Sequence, residues 1–395
     1  MMADIKRKVP NLRFKGFTDD WEQRKLGDEY KHIGNAFVGT ASPYYTQNGY
    51  FYLESNNIKN GQINHDHEVF INESFYHKQL NKLLHTGDLV MVQSGHVGDT
   101  AVITEKYNGT AAHALIMFRK PQNNMLSFFL NSFFQSSNAK NRIDVLAIGN
   151  TIRHILASDM KKFVVYLPDN KEKVEVVELF LELQKLISLQ QRKLELLKQL
   201  KKGFLQKMFA EKNNKQPVLR FKGFHDDWEQ RKLGDVAQIE TGKLDANAMV
   251  EGGKYDFYTS GIKKYHIDIP AFEGPAITIA GNGATVGYMH LADGMFNAYQ
   301  RTYVLTKFIA TDRKFLFNEI GNNLPRKIQQ ESRAGNIPYI VMDMLTGLKI
   351  SLPSFAEQEK IGKYFADLDS LIALHQRKQN HLKLLKKSLL QQMFM

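Results

Sequence analysis

EKVEVVELFLELQKLISLQQRKLELLKQLKKGFLQKMFAEK, residues Glu172 to Lys212, decides how this chain is organised. It holds no proline and one glycine, Gly203. With Phe180 as heptad position a, the a series is Phe180, Ile187, Leu194, Lys201 and Met208, and the d series is Leu183, Gln190, Leu197 and Phe204. Seven of these nine positions are apolar, and Lys, Glu, Gln and Arg fill most of the sequence between them. An apolar stripe sustained over four heptads is a coiled-coil seam, not one face of an ordinary core helix. A helix of roughly 40 residues spans about 60 Å at about 1.5 Å per residue, so it reaches beyond one small domain and needs a partner along its length.

The far end of the chain supplies that partner. Phe180, Leu186-Ile187, Gln191-Arg192-Lys193, Lys201-Lys202 and Met208-Phe209 return 185 positions later as Phe365, Leu371-Ile372, Gln376-Arg377-Lys378, Lys386-Lys387 and Met393-Phe394. The second seam reads Phe365, Leu368, Ile372, His375, Gln379, Leu382, Lys386, Leu389, Met393. Polar interruptions fall in equivalent places of the two seams, Gln190 and His375 at d, Lys201 and Lys386 at a. Polar seam residues fix register and pairing at some cost in stability.

A second repeat opens each half. PNLRFKGFTDDWEQRKLGD (Pro10 to Asp28) recurs as PVLRFKGFHDDWEQRKLGD (Pro217 to Asp235), identical at seventeen of nineteen positions. The chain is thus an opening motif, a variable body and a long helix, written twice. The polar stretch AEKNNKQPV (Ala210 to Val218) links the halves. The division expected is residues 1–168, first body; 169–212, central helix; 213–353, second body; 354–395, C-terminal helix.

The bodies are rich in glycine, asparagine, aromatic and β-branched residues. GDLVMVQSGHVGDTAVIT (Gly87 to Thr104) and GPAITIAGNGATVGYMH (Gly274 to His290) each read as strand, glycine turn, strand. Ser127 to Ile143 and Thr311 to Gln330 read as short helices after these hairpins. Each body is therefore a mixed α+β domain with a small sheet.

Composition narrows the function. At 395 residues the chain has room for two or three cores. The absence of cysteine excludes disulfides and thiolate-ligated metal sites and points to a reducing compartment. MMADIKRKVPNLRF lacks the apolar core of a signal peptide, and no apolar run nears the roughly 20 residues needed to span a bilayer. A cytoplasmic protein is expected. The net charge of +12 favours a polyanionic partner, nucleic acid first among them.

Catalytic look-alikes do not hold up. Gly281-Asn282-Gly283-Ala284-Thr285-Val286-Gly287 resembles a phosphate loop, but the sequence after it reads as a strand, whereas such a loop opens into a helix. Asn336-Ile337-Pro338-Tyr339 is similar to the Asn-Pro-Pro-Tyr signature of amino-group methyltransferases, yet Ile337 replaces a proline and no strand–glycine–helix unit precedes it. His65-Asp66-His67-Glu68 reads as a solvated turn rather than a metal cluster. No carboxylate pair or nucleophile–base set stands out, so no catalytic residue and no metal ligand is assigned.

What the bodies offer instead are amide-rich, basic loops of the residue types that read base edges: Arg and Lys on guanine, Asn and Gln on adenine. The DNA-contacting candidates in the first body are Asn56, Asn57, Lys59, Ser94, His96, Lys140, Arg142, Thr151 and Arg153. In the second they are Lys263, Lys264, Asn282, Thr285, Gln300, Arg301, Arg326, Lys327 and Arg333.

With both long helices and both bodies in view, the whole chain resembles the specificity (S) subunit of Type I restriction–modification enzymes. The resemblance is carried by LPSFAEQEKI (Leu352 to Ile361), FADLDSLI (Phe365 to Ile372), QRK (Gln376 to Lys378), LLQQMF (Leu389 to Phe394) and the opening motif at Phe14 to Asp28 and Phe221 to Asp235. One departure is DNKEKVEVV (Asp169 to Val177), which stands where the second half has its AEQEKI block and leaves the start of the first helix undefined.

The resemblance implies an α+β architecture: two mixed α/β target-recognition domains separated by two long helices paired as an antiparallel coiled coil, in a pseudo-twofold repeat. It implies a non-catalytic chain that binds double-stranded DNA, each domain reading one half of a bipartite site while the helices set the spacing. It also implies docking of two methyltransferase (modification) subunits, with restriction subunits held through them. No cofactor belongs to this chain; S-adenosylmethionine, ATP and Mg would be used by the partners. A second reading stays open on the residues alone, a duplicated DNA-binding coiled-coil scaffold or regulator without a methyltransferase partner.

Overall fold

The computed structural model describes residues 9–149, 153–211, 214–331 and 338–395. Packing divides the chain into two units: Met1–Gln190 with Lys378–Met395, and Gln191–Arg377. Each unit thus holds one body and a part of both long helices.

In the first unit an antiparallel sheet runs in the order Tyr30–Asn35, Leu115–Pro121, Leu89–Val92, Thr100–Val102. A second four-stranded sheet orders Ala111–Ala112, Tyr50–Leu53, Val69–Ile71 and Tyr45–Thr46. Every residue of Leu89–Val92 is buried, and the strand period of two explains why. Leu89 and Met91 join the core beneath the helices Leu126–Phe134 and Ser137–Leu146, whereas Val90 and Val92 join the core facing the second sheet. A central strand covered on both faces reads as an unbroken apolar run.

The second unit repeats this plan. Its first sheet orders Gln238–Thr241, Thr302–Thr306, Ala276–Ala280 and Met289–Ala292; its second orders Tyr265–Ile267, Tyr255–Tyr258, Met295–Ala298 and Phe272–Glu273. Ile277 and Ile279 face one core, Ala276 the other. The two glycine hairpins are present: Val90 pairs with Ala101, and Thr278 with His290. One element differs from expectation. The segment after the second hairpin is a single 19-residue helix, Arg313–Glu331, with Pro325 inside it.

The two long helices are Asn170–Lys207 and Phe355–Gln392, 38 residues each. The seam positions Phe180, Leu183, Ile187, Leu194 and Met208 are buried, as are Phe365, Leu368, His375, Gln379, Lys386 and Met393. Within each unit the helices run antiparallel. In the first, Phe180 packs on Phe394 while Gln184 bonds Lys386; in the second, Lys201 bonds Asp369 while Phe204 packs on Tyr364.

The start that the sequence left undefined is capped by Asp169, whose Oδ1 accepts the N–H groups of Lys171 (2.7 Å) and Glu172 (2.9 Å). The opening motif then ties down the first turn. Arg13 grips Glu172 with two bonds of 2.8 and 2.6 Å, and Trp21 Nε1 adds a third at 3.0 Å. Arg220 grips Glu357 at 2.7 and 2.8 Å. Short antiparallel pairs, Glu22–Lys25 with Val164–Leu167 and Glu229–Lys232 with Lys349–Leu352, bring each opening motif to its helix.

Candidate nucleic-acid interface

The loop after each central strand is where the predicted residues meet. In the first unit, Gly95 and Gly98 turn this loop with φ of 84° and 88°, in the region that glycine adopts without strain. A Cβ at Gly98 would stand 2.9 Å from Ile143 Cγ2, so the turn lies against the helix Ser137–Leu146. A strand-like crossing then holds it. Ser94 bridges His154, the Gly95 N–H donates to Arg153 O (3.2 Å), and the Ile155 N–H donates to Gln93 O (3.0 Å). His96 Nε2 faces the carbonyls of Ser55 (3.0 Å) and Ile58 (3.3 Å), which draws in the loop carrying Asn56 and Lys59. Asn56, Lys59 and His96 are exposed there, and Ser94 is half-buried.

The second unit builds the same crossing. Asn282 bridges Tyr339, the Gly283 N–H donates to Pro338 O (3.2 Å), and the Ile340 N–H donates to Gly281 O (2.7 Å). Gly287 abuts Ile328 as Gly98 abuts Ile143. Ser260 Oγ donates to Asn282 Oδ1 (2.7 Å), the Thr285 hydroxyl donates to Ser260 O, and the Gly281 N–H donates to Arg301 O (2.8 Å). Asn282, Thr285 and Arg301 are thereby gathered around one turn, beside the loop bearing Lys263 and Lys264. His290 sits under that loop, 3.4 Å from Gly261 O, and burial pulls its imidazole below the ordinary range.

Not every candidate faces outward. Asn57 is fully buried; its Oδ1 accepts the Glu54 N–H (3.0 Å) and its Nδ2 donates to His67 O (2.9 Å) and Asn64 O (3.3 Å). Arg142 is half-buried, donates to Val164 O, and lays its guanidinium 4.3 Å from the centre of the Phe163 ring. Both brace the fold instead of presenting donors to a groove. Arg153 is tied to Asp144 (3.0 Å), Lys264 to Asp256 (2.7 Å) and Lys327 to Glu331, while Lys263 lies over the Tyr265 ring. Lys140, Gln300 and Arg326 are exposed. Thr151 and Arg333 lie outside the described residues.

Two residues of the crossing were not singled out as contacts, His154 and Tyr339, the latter 56% exposed. A signal for them exists. The offset of 185 that relates the helices extends upstream through Pro338/Arg153 and Tyr339/His154 to Ile328/Ile143, so these positions correspond.

The look-alikes also have places. Gly281 to Gly287 joins the antiparallel strands Ala276–Ala280 and Met289–Ala292, which is a hairpin connection. His65 bonds Glu68 (2.5 Å) and the Tyr107 hydroxyl (2.8 Å). Among the described residues no group of three or more His, Asp or Glu side chains is placed to hold a metal ion. Nor is any helix among them long and apolar enough to cross a membrane.

Known proteins carry the same pattern. The family model described as the Type I restriction modification DNA specificity domain matches residues 18–199 and 225–384, one match in each half. Over 147 residues the chain is 38% identical to the Type I restriction enzyme EcoDI specificity subunit of Escherichia coli, an alignment covering 37% of this chain and 32% of that one. It is 22% identical over 424 aligned positions to the MjaVIII specificity subunit of Methanocaldococcus jannaschii, covering 94% and 91%. The crystal structure of the Type I restriction–modification S subunit from M. genitalium shares the fold with a TM-score of 0.72 at 16% identity, covering 98% of this chain and 99% of that one. A structure from work on assembly and conformational transition of the Type I system gives 0.51, also at 16% identity, covering 94% and 96%. With both halves matched by the domain that defines it, this chain belongs to the Type I restriction–modification DNA specificity family.

Proposed function

We propose that this protein is the sequence-reading subunit of a Type I restriction–modification complex, in which each body reads one half of a bipartite DNA site. The observation that carries the reading is the crossing built twice, Ser94 with His154 and Asn282 with Tyr339, each presenting amide, hydroxyl and basic side chains on a loop pinned by backbone bonds. Side chains fixed this way are suited to base edges, where bidentate geometry discriminates. Lys59, Arg301 and the other exposed lysines supply phosphate contacts that position the protein without reading sequence. The chain itself has no catalytic role in this scheme. It would present a flipped adenine to a partner that carries S-adenosylmethionine, with ATP and Mg serving the restriction subunits.

Docking of two methyltransferase subunits is supported by like surfaces in the two halves. The opening motif leaves the same side chains exposed in both copies: Lys15 and Lys222, Asp19 and Asp226, Asp20 and Asp227. The long helices expose leucines at equivalent positions, Leu186 and Leu371, Leu189 and Leu374, Leu200 and Leu385. Two like surfaces suit two copies of one partner. The family match favours this reading over a scaffold without a methyltransferase.

Methylome sequencing of a host carrying this chain with its methyltransferase is the test. The expected result is a gapped, two-part methylated motif that disappears when this chain is deleted. A methylation pattern unchanged by the deletion would sink the proposal.

A further inference from the structure

Lys201 and Lys386 are the same seam position of the two helices, 185 residues apart, yet their surroundings differ. Lys201 Nζ sits 2.5 Å from Asp369 Oδ1, an ordinary ion pair. The residue equivalent to Asp369 on the other helix is Gln184. Among the described residues Lys386 instead donates to two neutral amides, Gln184 Oε1 at 2.6 Å and Gln135 Oε1 at 2.7 Å. The residue is 9% exposed, and the cation of Lys140 acts on it unfavourably. Burial accordingly pulls its ammonium down to about 8. Buried charges in proteins are paired as a rule.

Beside this lysine lies a cavity of about 290 Å³, walled by Gln62, Asn131, Tyr107, Phe128 and Phe180, with Gln135, Gln184 and Lys386 among its lining residues. The amides are oriented by their own bonds. Gln184 Nε2 donates to Gln62 Oε1 (2.9 Å), and Gln135 Nε2 donates to Asn131 O (2.9 Å). Both amide oxygens are thus turned toward the ammonium. An ammonium has three N–H donors, and the amides occupy two.

We infer that this cavity is a binding site for a small carboxylate, which would supply Lys386 with the counter-ion that Asp369 supplies to Lys201. The repeat itself chooses the ligand class: the equivalent lysine takes a carboxylate in the same seam geometry. A single cation with amide and hydroxyl neighbours suits a monoanion. At ~30 Å³ per water, the space admits on the order of ten non-hydrogen atoms. Phe128, Phe180 and Ile63 offer the body of such a ligand an apolar wall. The ligand would bridge the strand Gln62–Ile63, the helix Leu126–Phe134 and both long helices within the first unit. The inference stands apart from the DNA-reading role.

Calorimetric titration of the full chain with sodium propionate, against sodium chloride at equal ionic strength, tests it. Saturable binding of propionate is expected. Gln184→Asp, which places a carboxylate as the second unit has it, should weaken that binding at least tenfold while the thermal midpoint holds or rises. Lys386→Met should abolish it; should that variant fail to fold, Gln184→Asp decides alone. Equal propionate affinity in the wild type and Gln184→Asp overturns the site, as does a response without saturation in the wild type.

Discussion

Glu319 lies in the interior of the second unit with its carboxylate half satisfied. Its Oε1 accepts the Ser351 N–H (2.8 Å) and an Asn323 Nδ2 N–H (2.9 Å), while among the described residues Oε2 has no partner. Burial pushes this carboxyl up to about 7. Because the folded value lies above that of an unfolded glutamate, the native state binds more protons between pH ~4.5 and 7. The group's contribution is thus most favourable below that window and is lost as pH rises through it. Glu319→Gln keeps the acceptor and removes the charge. It is expected to raise stability at pH 8 by up to about 3 kcal/mol, with the gain shrinking at pH 5. Thermal unfolding at the two pH values checks this, and a gain independent of pH would refute the charge explanation. Residue types alone did not disclose such roles. Asn57 and Arg142 have the chemistry of base readers, but burial assigns them to bracing the fold.

Among the elements, the first turn of each long helix is anchored by an ion pair with little exposure. The Arg220 guanidinium and Glu357 carboxylate are 13% and 0% exposed, so water screens their pairing little. Removing one partner of a buried pair strands the other at a cost of about 3–5 kcal/mol, whereas replacing both with apolar groups costs far less. Glu357→Leu is therefore expected to lower the urea midpoint sharply, and Arg220→Met/Glu357→Leu to recover much of the loss. A single variant as stable as the wild type would show that the pair does not anchor the helix. The pair also explains why the divergent stretch Asp169 to Val177 still starts a helix. It retains Glu172, 185 positions before Glu357, and Asp169 supplies the cap. The seam was legible because heptad spacing is a local pattern; the anchor on Glu172 was not, because its partner Arg13 lies 159 positions away.

For the whole molecule, the proposed role makes helix length a functional variable. Inserting one heptad near Gln190 and another near His375 preserves the a and d phase and adds about 10 Å of helix. On that role the gap in the methylated motif should widen by about three base pairs, at 3.4 Å each. Methylome sequencing of the variant reads this directly, and an unchanged gap would refute the spacer role. The sequence by itself determined the duplicated plan, the α+β class, the two hairpins and the paired seams, because repeats and periodicities are written in neighbouring residues. Tertiary structure alone decided which loop residues stand together, since Ser94 meets His154, and His96 meets Ser55, only through sheet register and chain crossing. It alone separated Lys386 from Lys201, because the pairing of the helices sets which side chain meets each seam lysine, the Gln184 amide or the Asp369 carboxylate.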